Sequence, residues 1–271
     1  MKNPAKHTIP VLLILLTLNL TAQWEHFALT ETITTGASFF TSDELGNLYV
    51  TSGNTLTKYD HGGNYKYSYS NLKDGEITFL DAGDPFKILV FYQDFGIIEW
   101  LDNTLSPIAR VNLNDLGLGL ASLACSSRQS GIWLYLPQSI ELVRLDQHLN
   151  IDDRTGNITK ATGLEINPDQ LLERDNKVYL NDPSNGILLF DKYGTYYKLT
   201  GIKGLHSFQV YNRKIIFHEH STVSILDPET RQQNNFNIPS ESPSQVRLSL
   251  GTKPKKLFVR EEGTLKIFSM E

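Results

Sequence analysis

The sequence predicts an all-β chain folded as a six-bladed β-propeller with four antiparallel strands in each blade. Three observations predict it. Paired strand-like runs recur six times, five of them closed by an aspartate. The recurrence keeps a spacing near 40 residues, the spacing of a four-stranded blade. Helical patterning is nearly absent; Pro168 to Arg174 is the one stretch that invites it, and an inner strand claims it.

The strand pairs are taken in order. Leu48-Tyr49-Val50 precedes Leu56 to Asp60, and Ile88-Leu89-Val90 precedes Ile97 to Asp102. Ile132-Trp133-Leu134 precedes Ile140 to Asp146, and Val178-Tyr179-Leu180 precedes Ile187 to Asp191. Ile215-Ile216-Phe217 precedes Val223 to Asp227, and Leu257-Phe258-Val259 precedes Leu265 to Ser269. The closing residues are Asp60, Asp102, Asp146, Asp191, Asp227 and Ser269, at intervals of 42, 44, 45, 36 and 42. Such a side chain accepts hydrogen bonds from backbone N–H groups just ahead of it and so begins a turn. Before each pair lies an apolar run expected to be the inner strand: 37–40, 77–80, 120–124, 171–172, 208–211 and 246–250. Weaker runs after most pairs, such as Tyr65 to Tyr69 and Ile108 to Leu113, supply outer strands. One such sheet cannot bury both faces, whereas six around an axis can.

The ends of the chain bear on closure. The last repeat stops at Glu271, after its third strand, and Trp24 to Leu29 precedes the first complete repeat. That spare segment is expected to be the outer strand of the sixth blade, closing the ring and covering an edge. Residues 1–22 read as a signal peptide, with an uncleaved anchor as the other reading: Lys2 and Lys6 lead an apolar stretch from Ile9 to Leu20, with Ala22 at the cut. The propeller is then expected over 23–271, exported to the periplasm or the outer membrane, and not membrane-spanning. Losing two lysines and no acid takes the net charge from −5 to −7, which argues against nucleic acid as a partner.

The stretch Asp43-Glu44-Leu45-Gly46-Asn47-Leu48-Tyr49-Val50, followed by Asn54 to Asp60, resembles blades of the six-bladed propellers of the NHL and TolB-like groups. The resemblance spans residues 24–271 and implies a fold, not a function. The leader ending in Thr21-Ala22-Gln23 is similar to those of exported Bacteroidota proteins.

Chemistry is harder to find. There is no G-x-S-x-G, H-E-x-x-H, Walker loop, G-x-G-x-x-G or C-x-x-C, and no sialidase-type box. No catalytic or cofactor-binding residue is assigned. Cys125, the single cysteine, sits in an apolar run and reads as a small buried hydrophobe or a reactive thiol. His218 and His220 alternate on a strand end, with His206 opening the same blade; the three form either a polar turn or, with Glu219, a zinc site. The lactonase-like six-bladed propellers hold calcium in the channel with a Glu, Asn and Asp set, which is not placed in this sequence. Tyr65, Tyr67 and Tyr69 read as packing residues or a sugar-stacking stripe.

Turns between second and third strands share one face with the blade-to-blade connectors. That face holds Asp74, Glu76, Asp94, Asp115, Asp182, His206, His218, Glu219, His220, Glu261 and Glu262 and is expected to be acidic. The opposite face holds Arg128, Arg174, Arg213, Lys214, Lys253, Lys255 and Lys256 against Asp43, Glu44, Asp84 and Asp175. Short loops and no catalytic set point to a non-catalytic binding or scaffold propeller in the cell envelope. Its protein partner would meet Asp94, Asp182, His218, Glu219, His220 and Glu261. The alternative is a metal-dependent sugar or lactone hydrolase or lyase at the channel mouth. Carbohydrate binding without turnover is a third.

Overall fold

The computed structural model describes residues 26–127 and 130–271. The expected leader, Trp24 and Arg128 lie outside them. The chain opens on β1 (Phe27–Thr34) and then builds blade after blade. Blade 1 is β2 (Phe39–Ser42), β3 (Leu48–Ser52), β4 (Thr55–Tyr59) and β5 (Tyr65–Ser70). Blade 2 is β6 (Phe79–Asp81), β7 (Ile88–Tyr92), β8 (Ile97–Leu101) and β9 (Pro107–Asn112). Blade 3 is β10 (Leu123–Ser127), β11 (Gly131–Leu136), β12 (Glu141–Leu145) and β13 (Ile151–Arg154). After a helix, α1 (Ile158–Thr162), blade 4 is β14 (Gln170–Arg174), β15 (Lys177–Asp182), β16 (Gly186–Asp191) and β17 (Tyr196–Leu199). Blade 5 is β18 (Phe208–Tyr211), β19 (Lys214–Glu219), β20 (Thr222–Leu226) and β21 (Gln233–Asn237). Blade 6 is β22 (Gln245–Ser249), β23 (Lys255–Glu261) and β24 (Thr264–Met270), with β1 as its fourth strand.

Within each sheet the strands pair antiparallel in chain order, the sixth excepted. In blade 2 the two middle strands are buried on both faces, so they read as nearly continuous apolar runs: all of Ile88–Tyr92 and Ile97–Leu101 is buried, whereas β4 alternates. Alternate residues go to different neighbours. Leu89 and Phe91 join the core between blades 2 and 3, while Ile88, Val90 and Tyr92 join the core between blades 1 and 2. Among the described residues six such cores separate the six blades, the last joining Phe40, Leu48 and Val50 of blade 1 to Phe258, Leu265 and Ile267 of blade 6. Hydrophobic burial thus runs around the ring without a break.

Closure at the N-terminal strand is as the sequence suggests, but shifted along the chain. Phe27 pairs Met270 and Thr34 pairs Thr264, with a slip between Leu29 and Glu31. The strand was hard to bound because nearly all of it is exposed, leaving no apolar alternation. The short helix, with an Asn157 side-chain cap accepting from the Lys160 N–H and Gly163 at its end, is a feature the sequence did not announce. The inner strand of blade 3 starts at Leu123, and Leu120 is exposed in the connector.

The closing aspartates do what their chemistry allows. In each turn one carboxylate oxygen accepts from two backbone N–H groups: Gly62 and Asn64 at Asp60, Thr104 and Ser106 at Asp102, His148 and Asn150 at Asp146. Asp191 binds Tyr193 and Thr195, and Asp227 binds Glu229 and Thr230. Ser269 is different. It lies within β24 and pairs with Ala28. Asp43 explains the blade-1 motif: it accepts from the Leu45 and Asn47 N–H groups, the Asn47 amide and the Tyr49 hydroxyl, while Gly46 takes φ +82°. Cys125 lies in the blade 3–4 core, where burial pushes its thiol up, so it packs as a small hydrophobe.

Burial alone would raise the Asp60 carboxyl. The Lys66 ammonium, the Asn64 backbone and side chain and the Gly62 N–H outweigh it and hold it well below the usual range. A depressed carboxylate stabilises the fold above its unfolded value, about 3.9, and loses that contribution as the pH falls toward its folded value. Asp60→Asn is therefore expected to lower stability most at neutral pH, with the difference from wild type closing below about pH 4. Urea denaturation of both proteins across that range checks it.

Candidate functional site

The inner strands β2, β6, β10, β14, β18 and β22 surround the axis. On the connector side β2, β6, β14 and β22, with the connector ahead of β18, bound a cavity of about 390 Å³, lined by Phe39, Phe79, Leu172, Ser207, Ser244 and Gln245, with His206, His218 and Arg260 at its mouth. Phe79 packs against the cores of three successive blade junctions, so it reaches into the channel from blade 2. Arg174 and Arg247 bound this cavity from below and also line the cavity on the opposite face.

Arg174 and Asp81 form the electrostatic centre of the channel. Arg174 Nη2 lies 2.6 Å from Asp81 Oδ1, and its Nη1 donates to the Glu173 carbonyl at 2.7 Å. Asp81 also accepts from the Gly83 and Ser126 backbone N–H groups at 2.9 and 3.0 Å. The carboxyl is fully buried; burial would raise it, but Arg174 and those N–H groups hold it below its ordinary value. The guanidinium packs against Gly83, where any Cβ would come within 2.3 Å of it. The pair joins blade 4 to blade 2 inside the channel, past blade 3.

Polar links also cross every blade junction. Gln170 exchanges hydrogen bonds with both the N–H and the carbonyl of Phe208, both at 3.1 Å. Gln209 does the same with Leu248 at 2.8 and 2.7 Å, and Gln245 with Phe40 at 2.9 and 3.0 Å. Ser126 N–H reaches Asp81 between blades 2 and 3, Trp133 Nε1 reaches Glu173 at 2.9 Å between blades 3 and 4, and Lys58 reaches the Asn103 carbonyl between blades 1 and 2. Sequence reasoning missed these residues. The available signal was a glutamine at or just inside the start of three successive inner strands.

The sequence-derived candidates share the connector face but not one site. His206 is exposed and sits 3.2 Å from Asp169. His218 lines the mouth, and its Nδ1 faces the His220 carbonyl at 3.4 Å. Burial lowers its pKa. His220 lies past the strand end at φ +50°, so the alternation that would aim two imidazoles at one ion stops at Glu219. Among the described residues no three His, Cys, Asp or Glu side chains gather as a metal site.

The acidic face needs revision in detail. Asp94 and Glu219 are exposed. Asp182 is buried and committed to the N–H groups of Asn167, Ser184 and Asn185. Asp74 is buried against Arg110 and Asn71, and Glu261 is engaged by Lys266. On the other face Arg174 is withdrawn into the channel and Lys256 is buried. The loops are also less uniform than expected: turns between second and third strands are short, but the connector from 155 to 169 is long enough to hold α1. Of the tyrosines, Tyr69 packs toward blade 2 with its hydroxyl 2.5 Å from Glu99, while Tyr65 and Tyr67 are exposed.

Removing one partner of a buried pair strands the other charge, at a cost of about 3–5 kcal/mol. Asp81→Ala is expected to lose stability on that scale, and Asp81→Leu combined with Arg174→Met to recover most of it. Guanidinium denaturation of the three proteins checks this.

No protein-family model matches the chain, and no curated protein matches it. Solved structures do. A catalytically inactive variant of virginiamycin B lyase from Staphylococcus aureus, solved with quinupristin, aligns over 91% of this chain and 100% of that one, at TM-score 0.63 and 11% identity. The WD40 domain of Neurospora crassa Pan2 aligns over 90% and 95%, at 0.57 and 9%. BBS1N in complex with ARL6DN aligns over 87% and 78%, at 0.56 and 11%. At these identities the likeness lies in the fold: the chain is a six-bladed β-propeller built around a narrow, charge-braced channel.

Proposed function

We propose that the chain is a non-catalytic binding propeller that acts outside the cytoplasm, offering its connector face to a protein of an envelope assembly. One observation carries this reading. Around blade 2 the connector face exposes Leu72 (85%), Leu120 (69%), Phe95 (52%) and Leu116 (37%). These come from two connectors and the turn between them. Phe95 lies beside Gly75, and its carbonyl accepts from Asn114. Exposed Glu76, Asp94 and Asp115 stand among them. Apolar anchors ringed by charge are the usual anatomy of a docking surface. The complementary partner is a protein with apolar side chains in a basic rim.

The leader expected at 1–22 supports export, and a propeller of the NHL and TolB-like type suits such a role. Among the described residues no helix is long and apolar enough to cross a membrane. The enzymatic alternative would need carboxylates converging on the axis from the inner strands. Asp81, and Asp169 just ahead of β14, are the carboxylates lining the connector-side cavity among the described residues; Arg174 engages the first, and Asn181 and His206 the second, which weighs toward binding.

A photo-crosslinking residue at Phe95 or Leu120 is expected to capture one discrete partner in the native envelope, and one at Phe86, exposed on the opposite face, to capture none. Equal labelling from both faces, or none from Phe95 and Leu120, overturns the proposal.

A further inference from the structure

Val246-Arg247-Leu248 places a guanidinium in the middle of an inner strand, where its neighbours in the sequence are core residues. The surrounding structure compensates it only in part: the Asp81 charge favours the cation, but less than burial and Arg174 oppose it. Among the described residues no acceptor bonds to Arg247, and its buried Nε has no partner. Asp81, the nearby carboxylate, is taken by Arg174. Burial and then the Arg174 charge pull Arg247 down to about 10, still cationic at neutral pH. Two residues up the strand and one strand over, Arg260 pairs in register with Gln245. Among the described residues its guanidinium meets only the carbonyls of Ala37 and Ser38, and its Nε is also unpartnered. Asp169, the acid at the mouth, is held by Asn181 and His206.

Both arginines are half-buried, and a partly desolvated charge with no carboxylate of its own favours an anion that supplies the counter-charge. Both arginines line the same cavity of about 390 Å³, whose other walls include Phe39, Phe79 and Leu172. That size suits a small ligand. A guanidinium fork matches a carboxylate or phosphate in two parallel hydrogen bonds. We propose that the connector-side half of the channel binds a small organic anion, an apolar body carrying one carboxylate or phosphate group, with Arg247 as anchor and Arg260 at the mouth. The site is separate from the apolar docking surface around blade 2, so either can fail without the other.

The test is thermal unfolding with sodium benzoate, phenyl phosphate and neutral benzamide as probes. At about 100 times its dissociation constant a bound anion is expected to raise the midpoint by roughly 5–10 °C. Benzamide, of similar shape, is expected to leave it unchanged, and the stronger of the two anions names the preferred headgroup. Arg247→Gln is expected to weaken that response at least tenfold. On wild type, independently of any variant, the Arg247 Nε–H resonance is expected to move as the anion is titrated. The proposal is overturned if neither anion outperforms benzamide, if Arg247→Gln responds as wild type does, or if the Arg247 resonance stays still while the midpoint rises.

Discussion

An inner strand of a propeller is an edge strand, and its unpaired N–H and C=O groups face a channel too narrow for another sheet. The structure depends on how those groups are met. Gln170, Gln209 and Gln245 each present a carboxamide that imitates a backbone peptide, donating to the carbonyl and accepting from the N–H of one residue in the next blade. Three junctions are thereby stitched at the axis, and Asp81 does related work for Ser126. Hydrogen bonds of this kind add only about 1 kcal/mol each, but leaving a buried group unmet costs more. Their larger effect is geometric, because they fix the register of one blade against the next where the strands lie closest.

That geometry also organises the charge. With the inner strands pinned, Arg174 packs on Gly83 and reaches Asp81, a brace between blades that are not neighbours. The brace uses the carboxylate that could have served Arg247, and it lies between the two halves of the channel. The outer rim follows other rules. There the aspartate turns repeat blade by blade, and the connectors are free to vary in length, from the segment that holds Leu72 to the one that holds α1.

Much of the fold was legible in the sequence for a local reason. A strand buried on both faces must be a continuous apolar run, and an aspartate that starts a turn needs only the N–H groups just ahead of it, so both signals stand in short windows. The inner strands were located but not their ends, since they are short and mix Phe, Gln, Ser and Arg. The site was less legible. Alternate residues of an inner strand face two different blades, so no inside–outside pattern marks what meets the channel. Asp182 and Asp74 looked like surface acids because a turn position says nothing about which N–H groups the side chain will find. The glutamines and Arg247 make their contacts, or lack them, with residues 38 to more than 200 positions away, and no local pattern encodes that.

The central claim, that the ring is held at its axis by polar stitches between inner strands, is tested most directly by native-state hydrogen exchange at the Phe40, Phe208 and Leu248 amides. If the stitches close the ring, these three amides exchange only through global unfolding, at the same free energy as the middle-strand amides of β7 and β15. Exchange as fast as that of the connectors, with β7 and β15 still protected, would show that the axis opens on its own and would contradict the account.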